Sequence, residues 1–403
     1  MIYSLIRRLA RSKRVVFALI SNGLVSLASF LLSVSVARTS TIEGFAEFSF
    51  AMVSFLFITG LNRAAFTNTA LSHPEDRESY KRSSNRSLLV ALLWALMIGI
   101  WALSSENPFL MILSLTMPGM ILLDHIRTYN SAAERPLLSL SFSSFWSAVT
   151  VFVSVGSFFY ESNPLIVFGA WAVSGSAGGV VATIVSRLSI VPRWPKEKKE
   201  TSEAFVFSAD YLVGAGGAQL TTGLLGILAD AKILGAIRGS GTLLGPVNLI
   251  STTARSLLLP FLSRENSNSG DRFKPAVAAA LVQSAVLVPV LAILQFIPDD
   301  LGFELLGETW KVASLAILPM SIDALFNVAM SPAIAGHRVS SAGSRSLVIR
   351  LLVGVPRPII VVYCASVWGV LGAAWAMAFV ALASSVAWWI SYFLLCRRES
   401  ETY

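Results

Sequence analysis

The sequence predicts an all-α, polytopic membrane protein with about twelve transmembrane helices, and three observations lead to this prediction. Of the 403 residues, 55% are hydrophobic and only 13% are charged, whereas ordinary globular domains carry about 25% charged residues. The apolar residues fall into runs of roughly 20, which is the length that crosses about 30 Å of hydrocarbon. Basic residues collect in alternate connectors between these runs, as the positive-inside rule requires.

The twelve apolar runs occupy nearly the whole chain. They lie at 15–37, 45–67, 88–105, 108–126, 138–160, 164–186, 204–228, 240–262, 276–297, 312–335, 346–366 and 369–395. Runs of this length must be helical, because lipid offers no partner to backbone N–H and C=O groups. The first run follows a basic start, but it is longer than a signal-peptide core and further spans follow it, so we interpret it as an uncleaved helix.

The distribution of Lys and Arg predicts that both termini lie in the cytoplasm. The side of the membrane that carries the N-terminus collects the basic clusters within 7–14, 77–86 and 187–199. The opposite side holds only four basic residues, Arg38, Lys232, Arg238 and Lys311. This bias sets orientation, and it agrees with an even number of spans.

A duplication divides the predicted spans into two lobes of six helices, at 1–190 and 204–403, joined by a polar cytoplasmic linker at 191–203. Similar segments recur about 201 to 204 residues apart, namely Glu106 with Glu308, Pro118 with Pro319, and Phe168-Gly-Ala-Trp171 with Leu371-Gly-Ala-Ala-Trp375. Because six is an even number, the two repeats run parallel about an axis along the membrane normal. Such a pair of lobes encloses a central cleft.

Arg357 is the first candidate site residue, because a charge at the bilayer centre costs about 2.5–3.5 kcal/mol and normally faces a cavity or a partner. It lies near the middle of the eleventh span, between Pro356 and Pro358, which should kink or unwind the helix. A cation at a broken helix suits an anionic substrate group. Pairing with an acid on another helix is the structural alternative. Arg350 lies two turns earlier on the same face.

Asp323 is the corresponding acidic candidate, near the middle of the tenth span. Its carboxylate could bind a coupling cation, H+ or Na+, or it could neutralise Arg357, and both interpretations stay open. Asn327 follows one turn later on the same helix face, and we include it among the predicted substrate-binding residues.

Arg63 and Arg255 occupy similar places in the second and eighth spans. Their side chains could snorkel to the interface or line a cavity, since long basic side chains do both. Asp210, in the seventh span, is a candidate ion-pair partner for one of these two arginines.

Other classes of site are not predicted. There is no phosphate-binding loop, nucleophile elbow or zinc-protease helix, so we expect neither an ATPase nor another enzyme and no cofactor. Cys364 and Cys396 form no disulfide or zinc framework. His73, His125 and His337 are interpreted as solvated or interfacial residues rather than metal ligands. The net charge of +8 lies in connectors and not in a nucleic-acid-binding motif, so no nucleic acid is expected.

Four segments carry a resemblance to a known family. They are Ala37-Arg-Thr-Ser-Thr-Ile-Glu-Gly44, Ala231-Lys-Ile-Leu-Gly-Ala-Ile-Arg238, Leu258-Leu-Pro-Phe-Leu-Ser263, and Leu306-Gly-Glu-Thr-Trp-Lys311 with Gly369-Val-Leu-Gly-Ala-Ala374. Together they resemble the polysaccharide flippase branch of the multidrug/oligosaccharidyl-lipid/polysaccharide exporter superfamily.

The resemblance implies two six-helix lobes that alternate between inward-open and outward-open states in the inner membrane of a bacterium. Relatives move polyprenyl-pyrophosphate-linked oligosaccharides to the outer leaflet for surface polysaccharide export. The pyrophosphate would meet Arg357, Arg350, Arg63 and Arg255, because the forked, permanently charged guanidinium suits phosphate. Expected partners are the lipid-linked oligosaccharide, membrane lipids, a coupling cation, and a polysaccharide polymerase with glycosyltransferases.

Three alternatives to the flippase are open. A cation-coupled multidrug antiporter of the same superfamily is the first, and Asp323 is the residue that favours it. A membrane-bound sugar polymerase or ligase is the second, although the longest outer connector, around 298–311, is short for such an enzyme. A scaffold that recruits glycosyltransferases is the third.

Overall fold

The computed structural model describes residues 13–71, 77–132, 135–160, 162–188, 190–194, 198–248, 250–251, 254, 258, 261–262, 273–340 and 342–400. These residues contain helices and no strand, as the all-α prediction requires. The chain forms two compact units, Met1–Gln219 and Leu220–Tyr403. The linker predicted at 191–203 lies within the first of these units.

The first unit contains seven helices. They are α1 (Lys13–Thr39), α2 (Ile42–Asn62), α3 (Arg77–Ser105), α4 (Pro108–Ala132), α5 (Pro136–Phe159), α6 (Pro164–Val185) and α7 (Lys198–Val213). Helix α2 continues through a π-helical turn, Arg63–Thr67, into a last α-helical turn, Asn68–Leu71. The starts of these helices follow from the sequence. Thr41 caps α2 by accepting the Gly44 N–H at 3.1 Å, and a proline begins each of α4, α5 and α6, where its missing donor costs nothing.

Aromatic residues form the core of this unit where α2, α4 and α6 meet. The rings of Phe48, Phe109 and Phe168 lie edge to face, with centroids 5.4 to 5.8 Å apart. Helices α4 and α6 then approach closely at Gly119 and Gly179, since a Cβ on Gly179 would lie 1.8 Å from the Gly119 carbonyl oxygen. Small residues at such crossings let helix backbones pack directly in membranes.

The helices that follow are α8 (Ala215–Leu228), α9 (Ala231–Leu243), α10 (Phe273–Leu294), α11 (Asp299–Leu306), α12 (Trp310–Ala329), α13 (Ser331–Val339), α14 (Gly343–Gly354) and α15 (Pro356–Ser400). A bend of 56° separates Thr201–Val213 from α8. Helix α15 joins two helices at Gly369, whose φ of 61° favours glycine. The core of the second unit includes Leu225, Ile237 and Val361.

The predicted break in the eleventh span is present. Helix α14 ends at Gly354 and α15 begins at Pro356, with Val355 between them. The missing N–H groups of Pro356 and Pro358 and the steric demand of their rings account for the interruption.

The described residues contain most of the predicted spans. They contain nine helical stretches that are long and apolar enough to cross a membrane, and the bent α7–α8 pair makes ten. One stretch, Gly343–Arg398, is 56 residues long and includes both of the last two predicted spans. The predicted span at 240–262 is only partly described, and the candidate spans among the described residues do not include it.

Candidate functional site

The first unit holds a forked ion pair between α2 and α4. Arg63 begins the π-helical turn, and its Nε donates to Asp124 Oδ2 at 2.9 Å while its Nη2 donates to Oδ1. The Arg63 side chain is 51% exposed, whereas Asp124 is 13% exposed. These two bonds use two of the five guanidinium donors. The arrangement therefore holds a cation in a fixed orientation with part of its surface accessible.

Polar side chains from α3 and α4 support the π-helical turn. Ser83 Oγ donates to the Phe66 carbonyl at 2.8 Å, and Thr67 Oγ1 and His125 Nδ1 share a hydrogen bond of 2.9 Å. Just before the turn, Asn62 and Ser87 exchange two hydrogen bonds, of 3.2 and 2.7 Å. Such turns interrupt the regular helix ladder and are frequent at functional sites. These contacts fix the backbone from which Arg63 projects.

Two more arginines belong to this part of the first unit. Arg127 lies one turn after Asp124 on α4, and its charge also acts on the Asp124 carboxylate. Arg86 on α3 is buried, and its guanidinium lies 5.5 Å from the centre of the Trp194 ring. Trp194 in turn contacts Phe66, with ring centroids 6.1 Å apart. Three arginines of the described residues, Arg63, Arg86 and Arg127, therefore belong to the surroundings of the turn.

Tyr211 on α7 packs against α2 directly before Arg63. Its hydroxyl donates to the Phe57 carbonyl at 3.2 Å. A Cβ on Gly60 would lie only 2.2 Å from this hydroxyl, so the glycine leaves the room that the phenol occupies. Asp210, the neighbouring residue, is exposed, and the carboxylate that accepts from the Arg63 guanidinium is Asp124. The predicted alternative, a pairing of Asp210 with Arg255, stays a prediction because Arg255 lies outside the described residues.

The second unit holds a longer ion pair, between α12 and α15. Arg357 Nη2 lies 3.5 Å from Asp323 Oδ1, and the two side chains are 18% and 13% exposed. Within the described residues, Asp323 Oδ1 and Arg357 Nε are buried without a hydrogen-bond partner. The structure therefore brings together Asp323 and Arg357, whose pairing was one of the two interpretations that the sequence left open, and each keeps a buried polar atom without a hydrogen-bond partner among the described residues.

The remaining predicted site residues are placed as follows. Asn327 Nδ2 donates to the Asp323 backbone carbonyl at 2.8 Å, which fixes the amide beside the ion pair. Arg350 is half-buried on α14. Arg255 lies outside the described residues.

The interpretation of the histidines was wrong for two of the three. His125 is 1% exposed and bonds to Thr67. His337 is 0% exposed, and its ring nitrogens contact the Ala333 carbonyl at 2.9 Å and Ser391 Oγ at 3.0 Å. Both imidazoles complete helix contacts, because a buried polar ring needs hydrogen-bond partners. His73 lies outside the described residues.

Sequence reasoning missed Asp124 and Arg127. They sit at the end of a predicted span, where charges usually mark the interface, so their position gave no sign of a shared site. One signal was available, because residues three apart on a helix are neighbours. Asp124 and Arg127 have this spacing at the end of a predicted span, and they could have been grouped with Arg63 of the second span.

Comparison with known proteins adds information at the level of the fold. No family model matches the sequence, and no curated protein matches it. Among solved structures, the lipid II flippase MurJ in an inward closed conformation is similar, with a TM-score of 0.74 and 12% identity over 94% of this chain and 87% of that one.

Two further structures belong to transporters of the MOP superfamily. An inward-facing multidrug resistance MATE family transporter has a TM-score of 0.67 and 10% identity over 94% of this chain and 96% of that one. A Pyrococcus furiosus transporter, whose binding pocket is described as having reverse polarity, has a TM-score of 0.59 and 13% identity over 96% and 94% of the two chains. The predicted all-α fold of membrane-spanning helices is confirmed, the chain is similar to these transporters at the level of the fold, and the protein is a multi-pass membrane protein.

Proposed function

We propose that the protein is a flippase that moves a polyprenyl-pyrophosphate-linked oligosaccharide from the inner to the outer leaflet by alternating access. The observation that carries the proposal is the Arg63 guanidinium, whose fork to Asp124 uses two of its five donors while 51% of the side chain stays exposed. A cation held in a fixed orientation at membrane depth suits an anionic group of a substrate.

The chemistry of a pyrophosphate fits these groups. Guanidinium forks bind phosphate oxygens through paired N–H donors and remain charged at any physiological pH. Arg63 retains an exposed surface, and Arg357 retains a buried donor without a partner among the described residues. Movement of a polar head across hydrocarbon breaks no covalent bond, so the proposal requires no catalytic group. Arg350, Arg255 and Asn327 are proposed to complete the contacts with the substrate head.

The fold is compatible with a flippase, because one solved protein of similar fold is named for flipping lipid II. Multidrug MATE transporters have the same general fold, so the fold alone does not select the substrate. The charge of the site indicates which class of substrate it favours. A site for a cationic drug favours carboxylates without neighbouring guanidinium groups, whereas Asp124 and Asp323 each face an arginine.

A reconstitution experiment tests the proposal. Purified protein is placed in vesicles that contain a polyprenyl-pyrophosphate-linked oligosaccharide, and a lectin added outside reports the sugar that reaches the outer leaflet. We expect wild-type protein to expose sugar and Arg357→Ala to lose this activity while still inserting. Arg338→Ala is the control, because Arg338 is an exposed arginine of the same unit. Normal exposure of sugar by Arg357→Ala would overturn the proposed role of Arg357 and the function built on it.

The same vesicles test the cation-coupled multidrug antiporter. The buried Asp323 oxygen without a hydrogen-bond partner among the described residues is the observation that favours this second function, since such a carboxylate could bind H+ or Na+. Under a proton or sodium gradient, extrusion of a cationic dye without exposure of the lipid-linked sugar would select the antiporter. Exposure of sugar that requires the gradient would make Asp323 a coupling residue of the flippase.

A further inference from the structure

The carboxylate of Asp124 competes with any anion that approaches Arg63. Both oxygens of Asp124 already accept the Arg63 fork. A phosphate group that binds Arg63 in the same way must displace them. The displaced carboxylate is only 13% exposed, and a charge left buried without a counter-charge is strongly unfavourable. Binding of a phosphate through this same fork of Arg63 therefore requires a second cation to receive Asp124.

Arg127 is in the right place to receive it. The two residues are three positions apart on α4, which places their side chains on adjacent turns of the same helix face. The Arg127 charge already acts on the Asp124 carboxylate in this structure. Asp124 can therefore change partners by a change of its own side-chain rotamer, with α4 left in place.

We propose that Asp124 is handed from Arg63 to Arg127 when a phosphate group of the substrate binds Arg63. The inference rests on the proposed function and assigns two positioning residues to it. Before binding, Asp124 neutralises Arg63. After binding, the phosphate neutralises Arg63 and Asp124 neutralises Arg127. The Asp124 carboxylate faces a guanidinium in both states, so the exchange does not leave it buried without a counter-charge, and the exchange can reverse when the substrate leaves.

In the described part of the second unit, Asp323 has no second cation on the adjacent turns of its own helix. Asp323 faces Arg357, but residues 319–328 of α12 include no basic residue that could receive the carboxylate. Among the described residues, Arg357 is the only cation whose charge acts on Asp323 in the structure. The handover is therefore a property of the first unit, and Arg127 is the residue that makes it possible.

A double-mutant cycle on binding tests the handover, because it separates action through Asp124 from direct contact with substrate. The full-length protein in nanodiscs is titrated with undecaprenyl pyrophosphate, and undecaprenol serves as the uncharged comparator. The variants are Arg127→Ala, Arg127→Lys, Asp124→Asn and Asp124→Asn with Arg127→Ala. Arg193→Ala is the matched control, because Arg193 is an exposed arginine of the same unit.

We expect Arg127→Ala to weaken binding of the pyrophosphate about tenfold, as the loss of one charged hydrogen-bond partner does. Arg127→Lys should restore affinity, since a cation is still present to receive the carboxylate. Asp124→Asn should strengthen binding, because the competitor of Arg63 is gone. In that background, Arg127→Ala should change affinity no more than Arg193→Ala does.

Three outcomes of these binding measurements would contradict the proposals. An equal loss from Arg127→Ala in both backgrounds would mean that Arg127 contacts the phosphate itself, and the handover would be wrong while the flippase stands. Failure of Arg127→Lys to restore affinity would also contradict the handover, because lysine still supplies a cation to receive the carboxylate, and this outcome does not depend on whether Asp124→Asn inserts. Wild-type protein that binds undecaprenol and undecaprenyl pyrophosphate equally would overturn the proposed function, and the handover with it.

Discussion

The crossing of α4 and α6 gives a sharp test of how the first unit is held together. A Cβ added to Gly179 would lie 1.8 Å from the Gly119 carbonyl oxygen and 2.8 Å from the Leu123 backbone nitrogen. Both neighbours are backbone atoms of α4, which a rotamer change cannot move. Gly179→Ala must therefore push the two helices apart by roughly 1 Å or more, since non-bonded carbon atoms prefer separations of about 3.5–4.0 Å.

The magnitude follows from the cost of overpacking. Extra methyl groups in a well-packed interior cost about 1–3 kcal/mol, and a collision with backbone places this variant near the upper value. For a folding unit of 150–250 residues, each kcal/mol lowers the melting temperature by about 2–4 °C. We therefore expect a decrease of roughly 6–12 °C, measured by thermal unfolding of the purified protein in detergent.

Gly169→Ala on the same helix is the matched control. Nothing lies within 4 Å of a Cβ built on Gly169, and alanine has a higher helix propensity by about 1 kcal/mol. This variant should melt at or slightly above the wild-type temperature. If Gly179→Ala and Gly169→Ala melt together, the close approach of α4 and α6 does not contribute to stability and the reasoning fails.

Two further predictions concern polar contacts between helices of the first unit. Asn62→Ala removes the partner of both the hydroxyl and the carbonyl of Ser87, so thermal unfolding should show a loss of about 1–3 kcal/mol, and an unchanged melting temperature would contradict the pairing. Ser143→Ala removes the bond that Ser21 Oγ donates at 2.7 Å and should cost about 0.6 kcal/mol. Adding Ser21→Ala should then cost little more, and an additive loss in that double variant would show that the two hydroxyls are independent.

Hydropathy and breaker residues were sufficient to predict the scaffold. The predicted spans correspond to the described helices because a run of apolar residues in lipid has no folded alternative to the helix. The break before Pro356 was also predictable, since proline acts on the local backbone and needs no tertiary partner.

The ion-pair partners could not be predicted, because they depend on which helices are neighbours in space. Asp210 and Asp124 are both acids that lie within predicted spans of the first unit. Only the packing of α2 against α4 brings Asp124 to Arg63. The π-helical turn at Arg63–Thr67 contains neither glycine nor proline. It is stabilised from outside by Ser83 and His125, so its cause lies on α3 and α4 rather than in its own sequence.

The predicted repeat explains why the two ion pairs are not copies of each other. It aligns Pro118 on α4 with Pro319 on α12, an offset of 201 residues, whereas Asp124 and Asp323 are 199 residues apart. The two carboxylates are therefore two residues out of register, which is about 200° around a helix. In the predicted repeat the two carboxylates therefore project from opposite faces of corresponding helices, and the structure places one against Arg63 on the second span and the other against Arg357 on the eleventh. The predicted repeat thus relates the helices of the two halves but not their charged contacts.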